Sequence, residues 1–218
     1  ITGHTPLAHR TARRLAAARA APEERVECSS VTIGERPVEW LLRRGAQGDV
    51  VEHLARYDDW ASLWEECPRG DWLLGIAERL GAPHVALVRA ALGCARVADR
   101  SPEADLVLDV VERWCDGAAS AAEVARATAS LEAALGRAFD PAQEAAGRAA
   151  LAVGLGVAER EVLASAAAAA AESVMSGSLD CGLELAMRWA HDKCSAAVRK
   201  EVPFELVAGC VEPREGPG

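Results

Sequence analysis

The sequence predicts an all-α protein, an irregular multi-helix bundle of antiparallel helix hairpins. Three observations carry that expectation. Apolar residues recur at helical spacing along most of the chain, and sustained alternation of the kind a strand requires is missing. Helix start and stop signals punctuate it, with Ser, Asp or Pro before many apolar runs and Gly45, Gly81, Gly117 and Gly177 after several. The composition is the third. Half of the 218 residues are hydrophobic, but alanine dominates, and six of the nine aromatics are Trp. Such a core is built by close helix approach through Ala and Gly, with Trp and Leu filling the gaps.

The elements follow in chain order. Residues 1–20 carry Arg10, Arg13, Arg14 and Arg19 and no acid, with Leu7, Thr11, Leu15 and Ala18 on one helical face. A basic surface helix packing on an acidic body is expected rather than a membrane-surface helix, which needs bulkier apolar residues. Val31-Thr32-Ile33 is the one β-branched run, too short for more than an ordered loop. Pro37 opens a helix with Val38, Leu41 and Leu42 inward, ended by Gly45. Asp49 opens the next, with Val50, Val51, Leu54 and Tyr57 inward.

Asp58 to Gly81 holds three of the tryptophans, Trp60, Trp64 and Trp72. Trp60, Leu63, Trp64 and Cys67 share one helical face. Pro68 restarts the chain, Asp71 is placed to cap, and Trp72, Leu73, Ile76 and Leu80 line the following helix. Pro83 precedes a helix bearing Val85, Val88, Leu92 and Ala95. Ser101-Pro102 starts one with Leu106, Val107, Val110, Val111 and Trp114 on its face. Ser120 and Glu123 form a capping box before Val124, Ala127, Leu131 and Leu135. Asp140-Pro141 opens a helix that Gly147, Gly154 and Gly156 should weaken. An alanine-rich segment follows to Met175, then a long helix from Asp180 to Arg199 with Leu183, Ala186, Met187, Ala190, Cys194 and Val198 inward. Pro203-Phe204 starts a short final turn, and residues 212–218 are expected to form a disordered tail. The expected organisation is an N-terminal helical extension over 1–57 and an alanine-rich bundle over 58–211.

The net charge of −9 excludes non-specific nucleic-acid binding, which requires a basic footprint, and suits a basic protein partner. No apolar run reaches the roughly 18 residues a membrane span needs. Seven cysteines, an odd number with no CxxC pair, are expected to be reduced and mostly buried, as in a cytoplasmic protein. No catalytic constellation, cofactor fingerprint or metal set emerges. Gly154-Leu155-Gly156 lacks both the preceding strand and the third glycine of a dinucleotide site. His191 and Cys194 lie i, i+3, but no second local pair completes a zinc site, and Cys194 reads as a small core residue rather than a nucleophile. Asp58, Asp59, Glu65 and Glu66 flank Trp60 and Trp64, and exposed indoles rimmed by carboxylates would make a protein-binding surface. These six residues are the candidate site. Trp60 and Trp64 are expected to serve binding, and Trp72 the core.

The order CPRGDWLLGIAERLG, LVRAALGCARVA, VLDVVERWCDGAASAAEV, an alanine-rich tract and HDKCSAAVRKEVPFELV resembles a loosely defined group of alanine-rich, all-helical bacterial proteins from high-GC genomes. The resemblance covers about residues 60–207. Part of that group is classed as immunity proteins of polymorphic-toxin systems, and it implies no catalytic residues. Two functions are therefore expected as rivals: a non-enzymatic helical binding module that occludes a cognate toxin, and an adaptor or assembly subunit of a larger bacterial complex attached through residues 1–57.

Overall fold

The computed structural model describes residues 31, 34–46, 48–135, 140–178 and 182–211. Among these there are eleven α-helices and no strand, so the chain is an all-α multi-helix bundle. The helices are α1 (Pro37–Arg43), α2 (Asp49–Leu54), α3 (Trp60–Glu66), α4 (Gly70–Arg79), α5 (His84–Ala95), α6 (Pro102–Cys115), α7 (Ala121–Leu135), α8 (Pro141–Gly156), α9 (Leu163–Gly177), α10 (Leu183–Glu201) and α11 (Phe204–Val211). A single 3₁₀ turn, Arg160–Val162, joins α8 to α9.

The start signals work as the side chains dictate. Ser101 Oγ accepts from the Ala104 amide at 3.3 Å and Asp140 Oδ1 from the Ala142 amide at 2.9 Å. The capping box closes reciprocally: the Ser120 amide donates to Glu123 Oε2 at 2.8 Å, and the Glu123 amide to Ser120 Oγ at 3.3 Å. Asp71 differs from expectation. Arg69 is the N-cap residue of α4, and Asp71 lies in the first turn, where both its oxygens accept from the Arg69 guanidinium at 2.9 and 2.6 Å. An adjacent bidentate cation outcompetes a backbone amide for the carboxylate.

Helices α5 and α9 pack on each other at the centre. Helices α4 and α10 cover one side of this pair, and α8 covers the other, with α6 and α7 beyond it. The α8–α9 hairpin is the most intimate contact, and the buried residues of both helices are small: Ala145, Ala146, Ala149, Ala150 and Val153 on one, Ala166, Ala167, Ala170 and Ala171 on the other. Small side chains let two backbones approach, so dispersion contacts replace bulk.

Glycine extends this logic. A Cβ on Gly154 would overlap the Thr128 hydroxyl on α7, and one on Gly156 would overlap the Leu163 side chain. One on Gly147 would overlap Leu135. The three glycines expected only to weaken α8 are therefore where neighbours press closest. Gly70 does the same between α4 and α10, where a Cβ would lie 2.7 Å from the Cys194 backbone carbon.

The hydrophobic core runs without a break across position 57. Trp40, Leu41, Leu54 and Tyr57 belong to the same buried cluster as Trp60, Leu63 and the bundle helices. Trp40 meets Trp60 edge to face at 5.5 Å. Arg36 donates to the Ala55 carbonyl at 3.1 Å and pairs with Asp58 at 2.8 Å. The described part of the expected extension is thus packed into the bundle. Residues 1–30 and 212–218 lie outside the described residues.

Side-chain direction departs from expectation at several positions. Leu42, Val85, Leu106, Leu183 and Met187 face solvent, whereas Trp40 is fully buried. No helix among the described residues is long and apolar enough to cross a membrane.

Candidate functional site

The six residues selected from sequence do not form an exposed aromatic patch. Trp60 is 8% and Trp64 3% exposed. Each indole N–H is committed internally, Trp60 to the Glu35 carbonyl at 3.0 Å and Trp64 to the Val202 carbonyl at 3.1 Å. The expectation that they anchor a partner is corrected, because helical periodicity alone does not reveal that α11 and the segment before α1 close over them. Their carboxylate neighbours are exposed, but two have structural work. Asp59 Oδ1 accepts from the Ser62 amide at 2.8 Å as the N-cap of α3, and that bond holds its carboxyl below the usual range. Asp58 pairs with Arg36, and Glu65 and Glu66 are exposed on α3.

The third tryptophan reverses in the other direction. Trp72, expected as core, is half-buried at the bundle surface. The Arg69 guanidinium stacks over its ring at 4.3 Å, and the His53 ring meets it edge-on at 4.8 Å. Arg56 donates to Tyr57 Oη at 3.0 Å and contacts His53 Nε2. A cation donating to Nε2 requires that nitrogen to be unprotonated. Burial, followed by the charges of Arg56 and Arg69, moves His53 below its usual value accordingly.

Trp72 is the joint between two of three clefts that line one face of the molecule. The first, about 430 Å³, lies between α8 and α9 and has Leu151, Leu155, Val162 and Ala168 as apolar lining. Arg148 stands at its edge, paired with Glu144 at 2.7 Å and Glu172 at 2.8 Å. The second, about 380 Å³, lies between α9, α4 and the α1–α2 pair, and is lined by Leu41, Val50, Trp72, Ile76 and Arg79. Ser165 and Ala168 belong to both, so the exposed ridge of α9 is a low sill between them. The third, about 410 Å³ and more polar, holds Asp49, Glu52, His53, Arg56 and Arg69, with Trp72 as its shared wall. The clefts are neighbours in a row that grades from apolar at α8 to charged at α2, a trough divided by shared walls. Sequence reasoning missed it, since its lining comes from five helices and no single stretch carries a signal.

The described cysteines are held mostly as buried, protonated thiols. Cys94 is fully buried between α5 and α10, and its thiol is pushed well up by hydrogen bonding with the Cys194 thiol and by burial. Cys194 Sγ points to the Ala167 carbonyl at 4.0 Å. Burial likewise raises Cys67, and pushes Cys115 up to about 11. Thiols held protonated are poor nucleophiles and poor ligands. The four described cysteines with placed side chains, Cys67, Cys94, Cys115 and Cys194, are all free. Among the described residues no group of three or more His, Cys, Asp or Glu is arranged to hold a metal ion.

No protein-family model matches the chain, and no curated protein and no solved structure matches it.

Proposed function

We propose that this chain is a non-enzymatic helical protein-binding module whose working face is the trough across α8, α9, α4 and the α1–α2 pair. The observation that carries this reading is the row of three adjacent clefts that share Ser165, Ala168 and Trp72 as walls. A surface with an apolar end, a half-exposed Trp in the middle and charged groups at the other end has the make-up of a protein interface: an aromatic anchor with a polar rim.

The family resemblance of residues 60–207 gives this reading its sharper form, an immunity protein that occludes a cognate toxin. The net charge of −9 suits a basic toxin, because complementary charge speeds and orients encounter.

The test uses the full chain and the toxin encoded beside its gene. Calorimetric titration should show saturable binding by the wild type and loss of binding by Ala168→Arg, whose melting temperature should be unchanged because position 168 is exposed. Equal binding by both proteins would remove the trough from the reading. No binding by either would remove the immunity assignment.

A further inference from the structure

The third cleft holds charges of both signs that leave each other unpaired. Asp49, Glu52 and His53 lie on one stripe of α2, Arg56 sits in the turn after it, and Arg69 and Trp72 face them from the start of α4. Glu52 precedes Arg56 by four residues, the spacing at which a helical acid and base join. They do not join: α2 ends at Leu54, and Arg56 turns to Tyr57 and His53 instead. Arg69 is held by Asp71. Among the described residues, the side chains of Asp49 and Glu52 enter no ion pair, and Arg56 has no carboxylate partner.

Two open carboxylates and an open guanidinium in one cleft of about 410 Å³ select a ligand by its charge. A simple anion here meets Asp49 and Glu52. A simple cation meets Arg56 and Arg69. A ligand carrying both charges is opposed by neither, and each of its ends finds a partner of opposite sign. Trp72, half-buried and shared with the apolar second cleft, gives such a ligand an apolar wall. Small-molecule sites have this make-up, an aromatic wall with a few polar groups that fix orientation.

We infer that the cleft between α2 and the start of α4 binds a free α-amino acid with an apolar side chain, its ammonium on Asp49 and Glu52, its carboxylate on Arg56, and its side chain against Trp72. This site is separate from protein binding along the two apolar clefts. Exposed charge pairs are individually weak, so the complex dissociates readily.

Nuclear magnetic resonance titration of the full chain with leucine tests this. Leucine should shift the backbone amides of residues 49–56 and the Trp72 indole N–H, identified by its loss in Trp72→Phe, and the shifts should saturate. N-acetyl-leucine lacks the ammonium and leucinamide lacks the carboxylate. Each should bind about fivefold more weakly than leucine, the scale of an exposed ion pair. The double variant Asp49→Asn with Glu52→Gln should keep its fold, since both side chains are exposed and unpaired, and should bind leucine and N-acetyl-leucine alike. Capped analogues that bind as well as leucine would overturn the inference, as would a double variant that keeps the wild-type preference. No saturable shift with leucine, together with loss of the protein partner in Glu52→Arg, would give the cleft to that partner instead; no saturable shift alone overturns the amino-acid site.

Discussion

The indole N–H of Trp64 donates to the carbonyl oxygen of Val202 at 3.1 Å, across 138 residues of sequence. Beside it, Arg199 donates from Nε to the Trp64 carbonyl and from Nη2 to the Cys67 carbonyl, both at 2.6 Å. The last turn of α3 therefore has its orphan carbonyls satisfied by the end of α10. Trp64→Ala should destabilise the protein by about 3–5 kcal/mol in denaturant melts. Trp64→Phe should cost about 1–3 kcal/mol, because it leaves a buried carbonyl without its donor. Trp40→Phe should cost less than Trp64→Phe, since the Trp40 indole N–H is buried with no hydrogen-bond partner and its loss removes a penalty. Equal losses at positions 40 and 64 would show that ring volume alone matters.

Trp72→Ala should be milder than Trp64→Ala. It loses the Arg69 stack and the His53 edge contact from a half-buried site, about 1–2 kcal/mol together. Its effect should instead appear in partner affinity, as it walls two of the three clefts. A denaturant midpoint falling as far as that of Trp64→Ala would make it core.

Two glycines of one helix should respond oppositely. At Gly70 an added Cβ meets the Cys194 backbone, so Gly70→Ala forces α4 and α10 apart and should cost about 1–3 kcal/mol. At Gly75 a Cβ meets only Ala164 Cβ at 3.8 Å, an ordinary contact. Gly75→Ala should stabilise by up to about 1 kcal/mol through helix propensity. Urea midpoints of the two variants, moving in opposite directions, are the expected result.

His84 predicts a pH dependence. Its Nδ1 accepts from Arg160 Nε at 3.0 Å, and its Nε2 donates to the Val157 carbonyl at 3.2 Å, so the neutral ring holds the α8–α9 turn against the start of α5. Burial lowers its folded-state value, and the Arg160 charge lowers it further. Above the ordinary value near 6.5 the ring is neutral in both states and this contribution is full. As pH falls through 6.5 the unfolded chain takes the proton first, and stability declines until the folded-state value is passed. His53 and His191 are lowered too, and add in the same direction. Unfolding free energy should fall as pH drops through about 6.5, and His84→Gln should flatten part of that slope.

Removing residues 1–57 should unfold the protein rather than release an intact bundle. Trp40, Leu41, Leu54 and Tyr57 are all buried in the common core. Circular dichroism of the truncated chain should show lost helix and no cooperative melt. A native-like melt would restore the view of this segment as a detachable extension.

The sequence by itself determined the helices, because start and stop signals and apolar period are local. Ser101, Ser120 with Glu123, and Asp140 each act within four residues of themselves, and each caps as its type and spacing require. Tertiary structure decided which faces are covered. Trp60 and Trp64 share a helical face in the sequence, but only the distant Glu35 and Val202 carbonyls show that face to be closed. Trp72 has the same local signature but is half-buried at the edge of the core, with Arg69 and His53 over its ring. Leu183 and Met187 fit the buried period of α10, yet both are exposed while Ala186 between them is buried. The trough is the extreme case. Five helices converge on it, so no window of sequence contains enough of its lining to be recognised.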